Sequence, residues 1–286
     1  APALAARLRR RVEAIATTDL LCGPDLRLPS DGPTLLVSFA RSGNSPESVA
    51  AVELAERFLD GRVFHLVITC NPEGALAASA AGLANAYVLL MPEAAHDRGF
   101  AMTSSFSAML LAGALTFRLV GDGAPCRVAL AAEGLLPQAT ALAGRLVARG
   151  FERVVYLGSN VLRGLASEAA LKLLELTDGR VVAVSDSTLG FRHGPKTIIN
   201  DRTLVVVLLS NDDYARAYDG DLLRELEREG RAGGLLALGA RPDGVGGVDK
   251  LIIAGMSDAP DLELVPLLVL FAQSFALLQS LELGLS

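Results

Sequence analysis

The chain of 286 residues has no tryptophan, only 5% aromatic residues, three cysteines and three histidines. Cys22, Cys70 and Cys126 are odd in number, far apart and outside any CxxC pair. That pattern argues against a disulfide framework and a structural zinc site, and for a cytoplasmic setting. Basic charge is also short, with 26 basic against 32 acidic residues, a net charge of −6 and a pI near 5.2. No basic footprint for nucleic acid results, and no basic amphipathic helix suits a membrane surface. The most apolar run, 264–278, is interrupted by Pro266, Gln273 and Ser274, so it falls short of a bilayer span and reads as a buried or interface helix. No apolar stretch follows Arg7, Arg9, Arg10 and Arg11, so they do not read as part of a signal peptide. Small molecules are the expected partners.

What is present is apolar material, 51% of the residues, at a length that predicts about two domains. Strand-like runs at 12–16, 34–40, 63–69 and 86–91 alternate with helical runs, the signature of a parallel sheet. The second half repeats this: 181–185 matches 12–16 and 203–209 matches 34–40 at one constant spacing, which predicts a duplication. The second half opens with a strand over 153–157, a turn at 158–160 and a helix over 162–176. The first half enters mid-helix, so its opening strand, turn and half a helix are expected to be missing from it. A loop at 121–125 and a connecting helix over 135–149 place the domain boundary near 145, giving domains 1–145 and 146–286.

The stretch Thr34 to Asp60 reads as a buried strand, a hydroxyl-rich turn and a helix. Ser45 is the expected N-cap, with Pro46 at the first helical position. Between strand and helix, Arg41, Ser42, Gly43, Asn44 and Ser45 place hydroxyls, backbone N–H groups and a guanidinium at a helix N-terminus, where the dipole favours an anion such as a sugar phosphate. The plainer alternative is that Ser42 and Ser45 merely cap a helix. Thr103, Ser104, Ser105 and Ser107 open a second apolar helix with another set of hydroxyls. The adjoining Glu93, His96, Asp97 and Arg98 read equally well as a charged surface loop and are not counted as site residues.

In the second half, the helix 165–176 is nearly all Leu and Ala except for Glu168, Lys172 and Glu175, whose spacing puts two carboxylates and an ammonium on one stripe. An ordinary solvated face with an ion pair is the competing reading. Against it stands the segment 185–200, where Gly190, Gly194 and Pro195 break any helix or strand around His193. A loop histidine is harder to explain by packing than His65, which lies in a strand-like run and is expected to be simply buried. His193 can change protonation near neutral pH, as a proton-transfer group must.

Three stretches, SFARSGNSPES, ASEAALKLLELTDG and GFRHGPK, resemble the phosphate loop, the catalytic helix and the histidine loop of the sugar isomerase (SIS) superfamily. GFRHGPK together with FAMTSSFSAM is most similar to the tagatose-6-phosphate ketose/aldose isomerase and galactosamine-6-phosphate deaminase group. The resemblance implies two tandem SIS domains across nearly the whole chain, each a parallel, flavodoxin-like, three-layer αβα sandwich. It implies that Glu175 moves the C1/C2 proton, that Lys172 neutralises charge on the sugar oxygens with Glu168 beside it, and that His193 assists ring opening from a neighbouring subunit. Ser42 and Ser45 would hold the phosphate; Arg41, Gly43 and Asn44 of the same turn, and Ser104 and Ser105 at the other hydroxyl-rich helix start, are the remaining expected substrate-binding residues. Arg41 stands where a more distant relative, the isomerase domain of glucosamine-6-phosphate synthase, has an amide, and Gly190 where it has a glutamate. The implied chemistry needs no metal or cofactor. Apolar helices at 101–120 and 262–283 imply a homodimer or larger assembly. A different class, the non-catalytic SIS sensor of sugar phosphates, needs the phosphate loop but no acid/base pair.

Overall fold

The computed structural model describes residues 1–28 and 32–285, in two compact units that divide between Arg118 and Leu119. In the first unit, α1 (Pro2–Leu8), α2 (Thr17–Cys22) and α3 (Pro24–Arg27) precede β1 (Thr34–Ala40), α4 (Pro46–Leu59), β2 (Val63–Thr69), α5 (Ala75–Ala81), β3 (Ala86–Leu90) and α6 (Ser104–Thr116). Its three strands lie in the order β1-β2-β3, all parallel. Alternation along β2 decides the layers. Val67 packs with Val52 of α4 and with Leu76 and Ala80 of α5, while Leu66 and Ile68 pack with Met109 of α6. The result is a sheet with helices on both faces, as a parallel sheet requires.

The expected strand at 12–16 is not formed; this segment runs as irregular chain into α2. The second unit gives the physical reason. There, the corresponding β5 (Val182–Asp186) bonds only to β4 (Arg153–Gly158), and no described strand of the first unit occupies the position of β4. Residues 12–16 therefore have no ladder to join, and the constant spacing holds for one strand pair, 34–40 with 203–208. β1 is left at the edge of its sheet, with Leu35 and Phe39 about half exposed, at 50% and 53%.

The second unit contains α7 (Ala124–Val147), β4, α8 (Val161–Leu176), β5, β6 (Thr203–Leu208), α9 (Asp213–Glu229), β7 (Gly234–Gly239), β8 (Asp249–Ile252) and α10 (Asp261–Glu282). Its five parallel strands run β5-β4-β6-β7-β8. All six residues of β6 are buried, which is why TLVVVL shows no polar alternation. Val155, Leu157, Val205 and Val207 pack with Leu222, Leu223 and Leu226 of α9, while α8 lies against β4 and β5 and α10 lies against α7 and α8.

α7 begins at Ala124 and packs along α10, so the boundary is not near 145, and the helix placed with the first domain belongs to the second unit. α10 is long and apolar enough to cross a membrane, but 67% of its most apolar 18-residue stretch is buried inside the protein. Arg127 of α7 donates to the buried Glu263 at the start of α10 at 2.9 Å, pairing a carboxylate that would otherwise be buried alone.

Gly158 closes β4 immediately before the turn into α8. A Cβ there would stand 2.5 Å from the Leu162 carbonyl oxygen, a backbone contact that no rotamer change relieves. Gly158→Ala is therefore expected to cost about 1–3 kcal/mol through forced backbone movement, read as a lower midpoint in urea unfolding.

Candidate functional site

In the first unit, the turn after β1 is held from behind rather than left free. Gly43 has φ 63°, a left-handed conformation that glycine adopts without a Cβ penalty. Its carbonyl accepts from Leu76 N at 2.9 Å. Asn71 Nδ2 donates to the Ser42 carbonyl at 2.9 Å, and Asn44 Oδ1 accepts from Ala75 N at 3.0 Å. The loop after β2 thus buttresses residues 42–44, and Gly74 is needed because a Cβ there would meet the Ser42 carbonyl at 2.5 Å. Ser42, Asn44 and Ser45 remain exposed on the outer side of this support.

Two expectations about this turn change. Ser45 occupies the N-cap position of α4 but makes no side-chain cap; its hydroxyl donates to Glu47 Oε2 at 2.6 Å instead. That bond holds the exposed Glu47 carboxyl below its ordinary value. Arg41 is not a free guanidinium either, because its Nη1 donates to the carbonyls of Gly99 and Phe100 at 2.8 and 3.1 Å. It ties the turn to the loop before α6.

That loop is organised by Asp97. Its carboxylate accepts from the backbone N–H groups of Thr103, Ser104 and Ser105 at 2.8, 2.9 and 3.0 Å and from the hydroxyls of Thr103 and Ser105 at 2.6 and 2.5 Å. Ser105 is buried with its hydroxyl donating to Asp97, so it is not offered to a ligand as expected. Ser104 keeps an exposed side chain. Asp97, set aside on sequence grounds as a loop charge, fills the anion position of α6 itself.

In the second unit, α8 carries the charged stripe. Lys172 is 3% exposed, with Nζ 2.5 Å from Glu175 Oε2 and 3.7 Å from Glu168 Oε1. The burial of Lys172 removes the reading of a simply solvated face. Burial pushes the Glu168 carboxyl up, the nearby Lys172 charge lowers it in part, and Glu175 raises it further. One side of a helix thus presents two carboxylates of unequal environment around a buried ammonium, a pairing suited to general acid/base work.

His193 is exposed between two short 3₁₀ turns, Gly190–Arg192 and Pro195–Ile198, so the segment is tighter than the irregular loop expected. Residues on both sides of it are pinned to α9: Arg192 Nε lies 3.0 Å from Glu225 Oε2, and Lys196 pairs with Glu225 and, at 2.6 Å, with Glu229. His65 is buried as expected, with Nε2 2.8 Å from Glu56 Oε1.

Sequence reasoning missed Asp219, which is fully buried. It accepts from Ser159 Oγ at 2.5 Å, Thr188 Oγ1 at 2.8 Å and Ser210 N at 3.1 Å. Burial pushes its carboxyl up, and these hydrogen bonds offset part of that rise. In the sequence it is one of several acids in an apparently solvated helix, and its only signal is its place on the apolar side of α9, between Ala215 and Leu222.

The SIS domain family model matches residues 24–119. A Streptomyces coelicolor protein described as a candidate D-galactosamine-6-phosphate deaminase AgaS is 49% identical over 288 residues, covering 99% of this chain and 74% of that protein. The D-galactosamine-6-phosphate deaminase AgaS of Escherichia coli is 44% identical over 295 residues, covering 99% of this chain and 75% of the other. The crystal structure of tagatose-6-phosphate ketose/aldose isomerase from Escherichia coli superposes with a TM-score of 0.95 at 43% identity, covering 100% of this chain and 79% of that one.

A pH dependence follows from Asp97. Burial works against its ionisation, but the hydroxyls and amides of Thr103 and Ser105 outweigh it and hold the carboxyl well below the ordinary value of 3.8. Because the folded-state value is depressed, its stabilisation is complete above pH 3.8 and is lost as the pH falls further. The urea midpoint of Asp97→Asn should lie below that of the wild type at pH 7, and the gap should narrow as the pH is taken below 3.8.

Proposed function

The chain belongs to the SIS-domain family, and from that premise we propose that it is an amino-sugar-phosphate deaminase acting on galactosamine 6-phosphate. The observation that carries the reading is Lys172, buried between Glu168 and Glu175 on one face of α8. A sensor of sugar phosphates has no use for such a stripe, so the chain reads as an enzyme. The two units are read as tandem SIS domains, the first carrying the hydroxyl-rich turn and the second the acid/base helix.

In the proposed reaction, Ser42, Gly43, Asn44 and Ser45 receive the phosphate, Ser45 exchanging its bond to Glu47 for one to a phosphate oxygen. Arg41 and Ser104 flank the sugar. His193 passes a proton between the ring oxygen and the anomeric hydroxyl, opening the ring. Glu175 takes the proton from C2, leaving a 1,2-enaminol whose oxygen charge Lys172 compensates, and returns a proton to C1. The product of that transfer is a 2-imino sugar. Water adds to its C2 and ammonia leaves, so galactosamine 6-phosphate and water give tagatose 6-phosphate and ammonia.

A second reading drops the nitrogen: the same proton transfer on an ordinary aldose 6-phosphate is ketose/aldose isomerisation through an enediol. The name of the Escherichia coli crystal structure supports this reading. The two activities share every step before imine hydrolysis. We also read the protein as a cytoplasmic homodimer or larger assembly. Support comes from the exposed Leu171 and Leu174 of α8 and Leu277 and Leu281 of α10, and from the exposure of His193, which suits donation to a neighbouring subunit.

The test is a panel of hexose 6-phosphates and 2-amino-hexose 6-phosphates with ketose and ammonia followed separately. Ammonia and ketose in equal amounts from galactosamine 6-phosphate are expected; ketose alone from aldoses supports isomerisation, and neither product overturns the enzyme reading. Glu175→Gln keeps the shape of the side chain and removes the base, so turnover and solvent-deuterium exchange at C2 should both fall by about 10²–10⁴-fold.

A further inference from the structure

The segment that carries His193 packs against α9. Phe191 before the histidine and Ile199 after it are buried in one cluster with Leu222, Leu223 and Leu226, and Ile198 packs against the same cluster. Among the described residues that cluster includes none from α8. Between the two apolar anchors the chain runs through Gly194 at φ 120°, a conformation that favours glycine and leaves the stretch free to move unless something else restrains it.

The restraint comes from one carboxylate. Oε2 of Glu225 lies 3.0 Å from Arg192 Nε, immediately before His193, and Oε1 accepts from Lys196 Nζ beyond it. Lys196 also reaches Glu229 at 2.6 Å. Glu225 and Glu229 stand one turn apart on α9, a spacing at which two carboxylates repel, and the shared ammonium removes that repulsion. All these charged groups keep some contact with water, and ion pairs so placed add little to stability. The apolar anchors keep the segment in the fold, so the effect of the charge bracket falls on the residues between them. His193 itself stays exposed inside the bracket.

We propose that Glu225 is a positioning residue, which holds Arg192 and Lys196 on either side of His193 and so fixes the imidazole on the outer surface where a neighbouring subunit takes it up. The inference rests on the reading of His193 as the ring-opening group donated between subunits. Glu225 touches no reacting atom; it acts through the two cations. Because the bracket and the histidine belong to one chain and the Glu175 they serve belongs to another, loss of Glu225 harms the neighbour's site and leaves its own subunit's Glu175 intact.

Glu225→Gln keeps the length of the side chain and removes its charge. Its kcat should fall by about 10–10²-fold, the scale of a small misplacement of a reacting group. KM should stay within about twofold, because the hydroxyl-rich turn is untouched, and the urea midpoint should stay near that of the wild type. A substrate with a larger open-chain fraction should recover turnover, since spontaneous opening replaces the impaired step.

Mixed dimers purified through two different tags show which site is impaired. A Glu175→Gln subunit paired with a Glu225→Gln subunit should regain about half of wild-type turnover, because one of the two sites of a two-fold dimer then joins an intact Glu175 to an intact bracket. Both substitutions in one subunit beside a wild-type partner should leave turnover at or below that of Glu225→Gln. General damage to the Glu225→Gln subunit would not produce this pattern. With three histidines in the chain, ring-carbon NMR reads the bracket without turnover: the His193 line should sharpen in Glu225→Gln as the segment gains freedom, while those of His65 and His96 stay fixed.

Wild-type kcat in Glu225→Gln overturns the proposal, as does a Glu175→Gln/Glu225→Gln mixed dimer no more active than the Glu225→Gln protein, or a protein that proves monomeric. If the wild type turns over no sugar phosphate, the proposed reaction fails and the His193 line decides alone: a sharpened line keeps Glu225 as the residue that holds the segment, and an unchanged one overturns it.

Discussion

A buried ammonium is unstable unless opposite charge and hydrogen bonds replace its water, and Lys172 is the group on α8 that imposes this condition. Glu175 meets it at 2.5 Å and Glu168, more distantly, at 3.7 Å. The rest of α8 follows from where the stripe must lie: Leu165, Ala166, Ala169 and Leu173 are buried, so the helix is held by its apolar sides while its charged stripe faces the remaining direction. The same condition separates the two carboxylates in character. Burial pushes the Glu168 carboxyl up, and Glu175 makes the closer ion pair to Lys172.

The two sheets treat the carboxyl ends of equivalent strands differently. After β1, the turn 41–45 leaves Ser42, Asn44 and Ser45 exposed beside the start of α4. After β6, the corresponding residues are engaged by acids of the protein itself. Ser210 N donates to Asp219, and Ser210 Oγ and Asn211 N donate to Asp261 at 2.5 and 2.7 Å. A helix N-terminus with free amides attracts an anion. In the second unit side chains supply it, as Asp97 does for α6, whereas no carboxylate of the described residues is seen to accept from the backbone amides of the turn before α4. The hydroxyls of the turn before α4 are thus exposed, whereas the turns before α6 and α9 are engaged by the protein's own carboxylates.

Much of this was legible in the residues. The strands at 34–40 and 63–69 are where the apolar runs place them; the run at 63–69 is covered on both faces, whereas 34–40 sits at the sheet edge with no fully buried residue, and α8 follows from its Leu and Ala spacing. The segment 12–16, like its counterpart at 181–185, has four apolar residues of five but forms no strand, since a strand exists only with a hydrogen-bonding partner and none lies beside it among the described residues. A helix was visible over 135–149, though it begins earlier, at Ala124, and ends at Val147. Its membership in the second unit was not, because that depends on the face of α10 it meets.

The sequence by itself determined the residue types that can carry chemistry: the hydroxyl turn, the Glu-Lys-Glu stripe and a histidine bracketed by Gly190 and Gly194. These are local patterns, written in spacing and turn chemistry. Only the tertiary structure decided which of them are committed to the protein. Ser105 turned out to be spent on Asp97, Ser45 to be bound to Glu47, Arg41 to hold two carbonyls, and Asp219 to be the buried centre of three loops. An aspartate or a serine reads the same in sequence whether water or another side chain satisfies it. Its partner is brought to it by strands and helices distant in the chain, and the free energy that decides between solvent and partner arises only when those elements pack.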